Sequence, residues 1–109
     1  MQTLVQVVCT SGRSLRDAIA NDAKLSENAL EVVAERKPGR SPGWTKLRSS
    51  AEGRRGSINI QWSSSTNILS CRVVNKGAGR PSLIIGDFVD YVLHRHQRRV
   101  KLITVLPSR

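Results

Sequence analysis

Apolar and polar residues alternate in two neighbouring segments near the middle of the chain. In residues 57–62, SINIQW, every second side chain is apolar, and Leu69, Cys71 and Val73 repeat the pattern in the next apolar segment. A period of two residues is typical of a β-strand that buries one face. Only a short polar stretch, SSTN, separates the two segments. The pattern therefore predicts a β-hairpin.

Three other segments are rich in β-branched and apolar residues and are bounded by turn residues. They are residues 3–9 (TLVQVVC), 44–50 (WTKLRSS) and 98–107 (RRVKLITVLP). β-Branched side chains favour strands, whereas the neighbouring TSGR, KPGRSPG and AEGRRG sequences favour turns. We predict a strand in each segment, the last one ending at Pro107.

Residues 25–37, LSENALEVVAERK, admit two interpretations. A helix would place three glutamates at i,i+4 spacing, where they repel one another. A strand would turn Leu30, Val32 and Ala34 toward the core and the glutamates outward. We favour the strand, but the pattern leaves the choice between strand and helix open for residues 27–36.

Two segments carry the periodicity of amphipathic helices. Residues 14–23 begin with Ser14 in the position of an N-cap, and Asp17 follows three residues later in a capping-box pattern. Residues 82–96, SLIIGDFVDYVLHRH, are apolar over most of the helix circumference. Because a helix of this kind packs on more than one surface, we predict that it covers the sheet and also meets a partner subunit.

In chain order these elements predict a β-α-β-β-β-β-α-β arrangement. This order is typical of an α+β fold with a mainly antiparallel sheet and one long helix packed on it. A chain of 109 residues is close to the commonest domain size. We therefore predict one domain over residues 1–109. The sequence leaves open whether the first and last strands pair.

Positive charge is concentrated in one part of the chain. The whole sequence has 18 Lys and Arg against 8 Asp and Glu, a formal net charge of +10. Residues 1–35 hold three basic and five acidic residues, whereas residues 36–80 hold ten basic residues and one acidic residue. Such a regional excess favours a binding surface over a uniformly charged coat.

The predicted meander sorts these cations into two clusters, because successive turns of an up-and-down sheet fall at alternate ends. The long helix runs back along the sheet, so its basic C-terminal end returns to the end of the sheet that carries the turn at residues 36–40. Arginine holds phosphate in a bidentate manner. Trp44 could stack on a base. The small number of aromatic residues argues against a stacking platform of the RNA-recognition kind. The predicted anion-binding residues are Arg36, Lys37, Arg40, Trp44, Arg95, Arg98 and Arg99 at one end, and Arg54, Arg55, Lys76 and Arg80 at the other.

One group of acid–base residues shares a side of the predicted long helix. Asp87, Asp90 and His94 lie at i, i+3 and i+7, a spacing that would suit a metal or a proton transfer. Acids near a helix N-terminus and a histidine near its C-terminus also complement the helix dipole. We interpret them as a solvated stripe, so no catalytic residue, metal or cofactor is predicted, and we do not expect an enzyme.

The cysteines and the N-terminal segment point to a reducing compartment. Cys9 and Cys71 lie in apolar segments without metal-ligand spacing, so we predict buried free thiols. The first residues lack the charged region and the long apolar run of a signal peptide or membrane span. We therefore expect a cytoplasmic protein without a membrane partner.

Two functions remain in view. The leading expectation is a non-enzymatic protein that binds the phosphate backbone of nucleic acid. The alternative is a protein-interaction module, or a homodimer through residues 82–96, whose basic face meets an acidic protein. The sequence does not distinguish DNA from RNA.

Overall fold

A six-stranded antiparallel sheet with helices on one face organises the fold. The computed structural model describes residues 2–36, 43–50, 56–74 and 81–107. The α+β fold and the predicted order of elements are confirmed. The strands are β1 Gln2–Cys9, β2 Leu30–Arg36, β3 Trp44–Ser49, β4 Ser57–Ser63, β5 Ile68–Val74 and β6 Val100–Leu106; the helices are α1 Leu15–Ala20 and α2 Pro81–His96, with 3-10 turns at Ser26–Asn28 and Gln97–Arg99.

The strands lie in the order β2-β3-β4-β5-β1-β6. Strands β2 to β5 form the predicted meander, and the hairpin of β4 and β5 is confirmed by its continuous register from Ser57↔Val74 to Ser63↔Ile68. The first and last strands do pair, and β1 separates β5 from β6. The sheet therefore has β2 at one edge and β6 at the other.

The core lies between one face of the sheet and the two helices. Alternate side chains of the strands are buried against apolar side chains of α1 and α2, which accounts for the period-two pattern in the sequence. We call the opposite side of the sheet the open face, because within the described residues no helix packs on it. The main core side chains are Val5, Val7, Leu47, Ile58, Ile60, Leu69 and Val73 from the sheet, Leu15 and Ile19 from α1, and Ile84, Phe88, Tyr91 and Val92 from α2.

Strand β2 confirms the strand interpretation of its segment but corrects the faces that we predicted. Leu30 is buried as expected, but a bulge between Val32 and Ala34 shifts the register. Since one extra residue reverses the alternation, Ala34 lies opposite Lys46 on the open face, and Glu35 turns toward the helices. The predicted inward position of Ala34 was therefore wrong.

The first helix begins as predicted and ends earlier. The Ser14 hydroxyl accepts a hydrogen bond from the Asp17 amide at 3.2 Å, as an N-cap does. The helix ends at Ala20, not at residue 23, because the Asp22 amide turns back to the Ile19 carbonyl at 3.2 Å.

Both cysteines are free and buried, as predicted. Cys71 lies opposite Val5, which is four residues from Cys9 on the same strand. The two Cα atoms are thus about 14 Å apart, four residues along the strand and one strand spacing across, which is beyond the reach of a disulfide. Among the described helices, none has the length and apolarity that a membrane crossing requires.

Candidate nucleic-acid interface

Polar and basic side chains line up across the open face in a single row. Lys46 lies opposite Asn59, Asn59 lies opposite Arg72, and Arg72 lies opposite Leu4. Residues that oppose one another in antiparallel strands point to the same face. Three strands therefore bring two cations and an amide together, with Lys46 and Arg72 two strand spacings, or about 10 Å, apart.

A groove of about 350 Å³ follows this row. Trp44 forms one part of its wall and is half-buried, so part of its ring remains accessible. The amides of Asn59 and Gln61 supply both donors and acceptors. The lining residues are Leu4, Trp44, Lys46, Asn59, Gln61, Ser70, Cys71 and Arg72.

The polar groups of the groove are available to a ligand. Within the described residues, no hydrogen bond or ion pair occupies the side chains of Lys46, Asn59, Gln61 and Arg72. A cation and an amide at a partly buried surface gain most from a partner that supplies acceptors. The groove therefore combines an aromatic ring, two cations and two amides that can all contact one bound molecule.

The open face as a whole is basic. Arg36 and Arg48 flank the groove on β2 and β3, and Glu31, the only acidic residue on this face among the described ones, forms an ion pair with Arg48. The other described carboxylates lie in the helices, in the turns or, for Glu35, on the helix-facing side of β2. The sheet thus separates an open face with excess positive charge from a helical side that holds most of the acids.

The structure brings together two of the predicted site residues. Arg36 lies opposite Trp44 at the end of the β2–β3 pair, and the alternation from buried Thr45 places both on the open face. Both residues therefore border the groove. Of the remaining predicted residues, Lys37, Arg40, Arg54, Arg55, Lys76 and Arg80 lie outside the described residues.

The basic end of α2 does not lie at the groove. Arg95, Arg98 and Arg99 are at the same end of the sheet as Arg36, as the meander predicted. However, Arg95 binds Asp22 in the turn after α1, and the Arg99 guanidinium lies over Trp62, on the helix-covered side of the sheet. Arg36, opposite Trp44, lies on the open face. The predicted first cluster is thus divided, because the sheet lies between Arg36 and the side chains of Arg95 and Arg99.

Arg99 and Arg95 make contacts within the protein. The Arg99 guanidinium donates to the carbonyls of Thr10 and Arg13 at 3.2 and 2.9 Å and lies 5.7 Å from the centre of the Trp62 ring. Arg95 donates twice to Asp22, at 3.1 and 3.2 Å. Arg98 is exposed. Two of these three cations therefore hold loops to the helix end.

The pattern of the sequence does not single out Lys46, Asn59, Gln61 and Arg72. Each is a polar position in an alternating strand, which marks it as facing away from the core. The sequence did offer one indication of a binding role: two such positions, Lys46 and Arg72, fall in the basic part of the chain. Their alignment in one row depends on the register between strands, which the sequence does not state.

Asp22 is the centre of a second polar cluster, between the turn after α1 and the end of α2. Its side chain is only 6% exposed. Although burial by itself raises the pKa of this carboxyl group, hydrogen bonds from Arg95, the Lys24 amide and the Tyr91 hydroxyl outweigh it and lower the pKa to about 2. The Tyr91 hydroxyl lies 2.8 Å from Asp22 and 2.9 Å from Nε2 of His96. Since the ionised Asp22 can only accept, Tyr91 donates to it and His96 donates to Tyr91.

The side chains of this second cluster hydrogen-bond to one another. Burial raises the pKa of Tyr91, and burial likewise lowers the pKa of His96. Both groups therefore remain neutral near pH 7 and serve as links in a closed hydrogen-bond chain. The cluster fastens the turn after α1 to the end of α2.

The residues considered for metal binding do not converge with others in the described part of the chain. Asp90 and His94 are exposed on α2, and the Asp87 carboxylate accepts a hydrogen bond from the Ser49 hydroxyl at 3.3 Å. Among the described residues no group of three histidine, cysteine or acidic side chains is placed to hold a metal ion.

Comparison of the chain with models of known families, with curated proteins and with solved structures finds no match.

Proposed function

We propose that the open face binds single-stranded nucleic acid and catalyses no reaction on it. The observation that carries the proposal is the groove in which Trp44, Lys46, Arg72 and two amides meet, the polar side chains without partners among the described residues. Proteins that bind single strands combine a basic groove with an aromatic ring on which a base stacks. Here Trp44 supplies the ring, Lys46 and Arg72 contact phosphates, and Asn59 and Gln61 hydrogen-bond to base edges.

The shape of the surface favours a single strand over a duplex. Reading a duplex in its major groove requires an inserted helix or ribbon, whereas the described part of the open face is a sheet surface with a shallow groove. A base can reach Trp44 only when it is unpaired and unstacked. Stacking on one ring also agrees with the small number of aromatic residues, since only one base needs a platform.

A binding titration tests the proposal. A fluorescein-labelled oligo(dT) or oligo(U) of about 16 nucleotides, the upper end of typical site sizes, is titrated with protein at low and moderate salt. We expect saturable binding that weakens with salt, and weaker binding to a duplex of the same length. Absence of binding to any single strand at low salt would refute the proposal. Displacement of the oligonucleotide by polyglutamate alone, without a preference among nucleic acids, would favour an acidic protein as the partner.

Lys46→Ala is expected to reduce the salt dependence of binding. Loss of one phosphate contact makes the slope of log Kobs against log salt shallower by about 0.7 for a single strand. The matched control is Lys24→Ala, which removes the same charge from the exposed turn after α1, where Lys24 forms an exposed ion pair with Glu27 at 3.7 Å. Equal slopes for the two variants would exclude Lys46 from the phosphate contacts.

A further inference from the structure

The two edges of the sheet differ in how they are protected against pairing with another strand. Edge strands commonly carry bulges and charged residues that prevent such pairing. Strand β2 has both, with a bulge near Val33 and the charged residues Glu31, Glu35 and Arg36. Strand β6, VKLITVL, has one charge, Lys101, which is also the extra residue of a bulge at the start of the strand; from Leu102 to Leu106 it pairs with β1 in regular register and carries no charge. Its outer side has no neighbouring strand within the described residues.

Exposed apolar side chains collect along this uncharged, regular part of the edge. Leu102, Val105 and Leu106 of β6 are 57%, 44% and 46% exposed, and Leu93 at the adjacent end of α2 is 45% exposed. A groove of about 580 Å³ runs between α2 and β6, lined largely by apolar residues. The side of α2 that faces the sheet packs in the core, where Ile84, Phe88, Tyr91 and Val92 are buried. Among the described residues of α2, the flank next to β6 is the apolar one that remains accessible to a partner.

The sequence of β6 is complementary to itself in one antiparallel register. When Thr104 of one copy lies opposite Thr104 of the other, Ile103 faces Val105 and Leu102 faces Leu106. Apolar residues then meet apolar residues on both faces of the joined sheet. Shifting the centre to Ile103 would instead place Lys101 opposite Val105 and Leu102 opposite Thr104.

We propose that two copies of this chain associate through β6 in that register and form a continuous twelve-stranded sheet. Such an interface is isologous, as in most homodimers. Basic proteins repel one another, but the antiparallel register places the two Lys101 side chains about 20 Å apart, beyond the screening length at physiological salt. The twofold axis brings the two α2–β6 grooves together. It also leaves both open faces on the same side of the sheet.

Disulfide trapping tests the register. Thr104→Cys places two thiols opposite each other, with Cα atoms about 4.5–5.5 Å apart. We expect rapid formation of a covalent dimer under mild oxidation. Burial raises the pKa of both native thiols, which therefore react slowly. In the control, Leu102→Cys, the two new thiols belong to residues displaced by about 13 Å along the strands and do not cross-link. Equal cross-linking of the two variants, or cross-linking of Leu102→Cys alone, would overturn the register.

The mass in solution tests the interface itself and does not involve nucleic acid. Sedimentation equilibrium of the unmodified chain should give twice the mass of one chain at high concentration. Leu102→Lys, which buries an unpaired charge at the interface, should raise the dimer dissociation constant at least about tenfold. Val33→Lys adds the same charge at the opposite edge, where Val33 is 42% exposed, and should leave the constant unchanged. A strict monomer at all concentrations, or equal effects of both substitutions, would overturn the proposal.

Discussion

Trp44→Ala is expected to weaken the binding of a single-stranded oligonucleotide by about 5- to 150-fold, which corresponds to about 1–3 kcal/mol for stacking of one base. The ring is half-buried in the groove wall next to Lys46 and Arg72. Removing it takes away the only aromatic surface on the described part of the open face. Fluorescence anisotropy with labelled oligo(dT), at a fixed salt concentration, measures the change.

Two further variants separate stacking from a loss of structure. Trp44→Phe retains an aromatic face and should recover most of the affinity, whereas a variant that has lost its fold would not bind in either form. In a Trp62→Phe background, Trp44 is the only tryptophan, and its fluorescence should be quenched by added oligonucleotide. If Trp44→Ala binds as tightly as the unmodified protein while Lys46→Ala weakens binding, the strand is held by phosphate contacts alone.

Asp22→Asn is expected to lower the free energy of unfolding at pH 7 by about 2 kcal/mol. The pKa of Asp22 falls from 3.8 to about 2 on folding, and each unit corresponds to about 1.4 kcal/mol. The asparagine oxygen can still accept from Tyr91, but its amide group cannot accept from Arg95. Urea unfolding of the two proteins, followed by circular dichroism, measures the difference.

The same pair of proteins should show how the effect depends on pH. A carboxyl group with a lowered pKa in the folded state stabilises the protein above its unfolded pKa and loses this contribution as the pH falls toward the folded value. The difference in unfolding free energy between the unmodified protein and the Asp22→Asn variant should therefore begin to shrink below about pH 5 and largely disappear near pH 2.

Glu27→Gln provides the matched control for the loss of a carboxylate. Glu27 forms an exposed ion pair with Lys24, and its replacement should change stability by less than about 0.5 kcal/mol at any pH. If the destabilisation caused by Asp22→Asn stays constant from about pH 7 to about pH 3, the carboxylate is not the stabilising group.

The elements of the fold could be predicted because each depends on local patterns. Alternation in residues 57–62 and around Cys71 predicted the hairpin, and the apolar periodicity of residues 82–96 predicted α2, which extends from Pro81 to His96. The faces of β2 could not be predicted beyond Leu30, because the bulge near Val33 reverses the alternation and has no signature in the residue types.

In the candidate site, too, some residues could be predicted from local patterns and others could not. Trp44 and Arg36 were found from the sequence, because they stand at the basic turn where charge density is high. Lys46 and Arg72 were not, since they are separated by 26 positions in the chain and meet only through the pairing of β3, β4 and β5. The predicted contact of Arg36 with the end of α2 depended on which face of the sheet α2 covers and on the order of the strands, which local patterns do not encode.

The sequence by itself determined the α+β class, the order of elements, the buried thiols and the excess of positive charge between residues 36 and 80. These follow from side-chain periodicity and composition, which act over a few neighbouring residues. The tertiary structure alone decided that β1 lies between β5 and β6, that Arg95 and Arg99 are engaged within the protein, and that Lys46, Arg72 and Trp44 share a groove. These depend on the order and register of distant strands, which the burial of one common core selects.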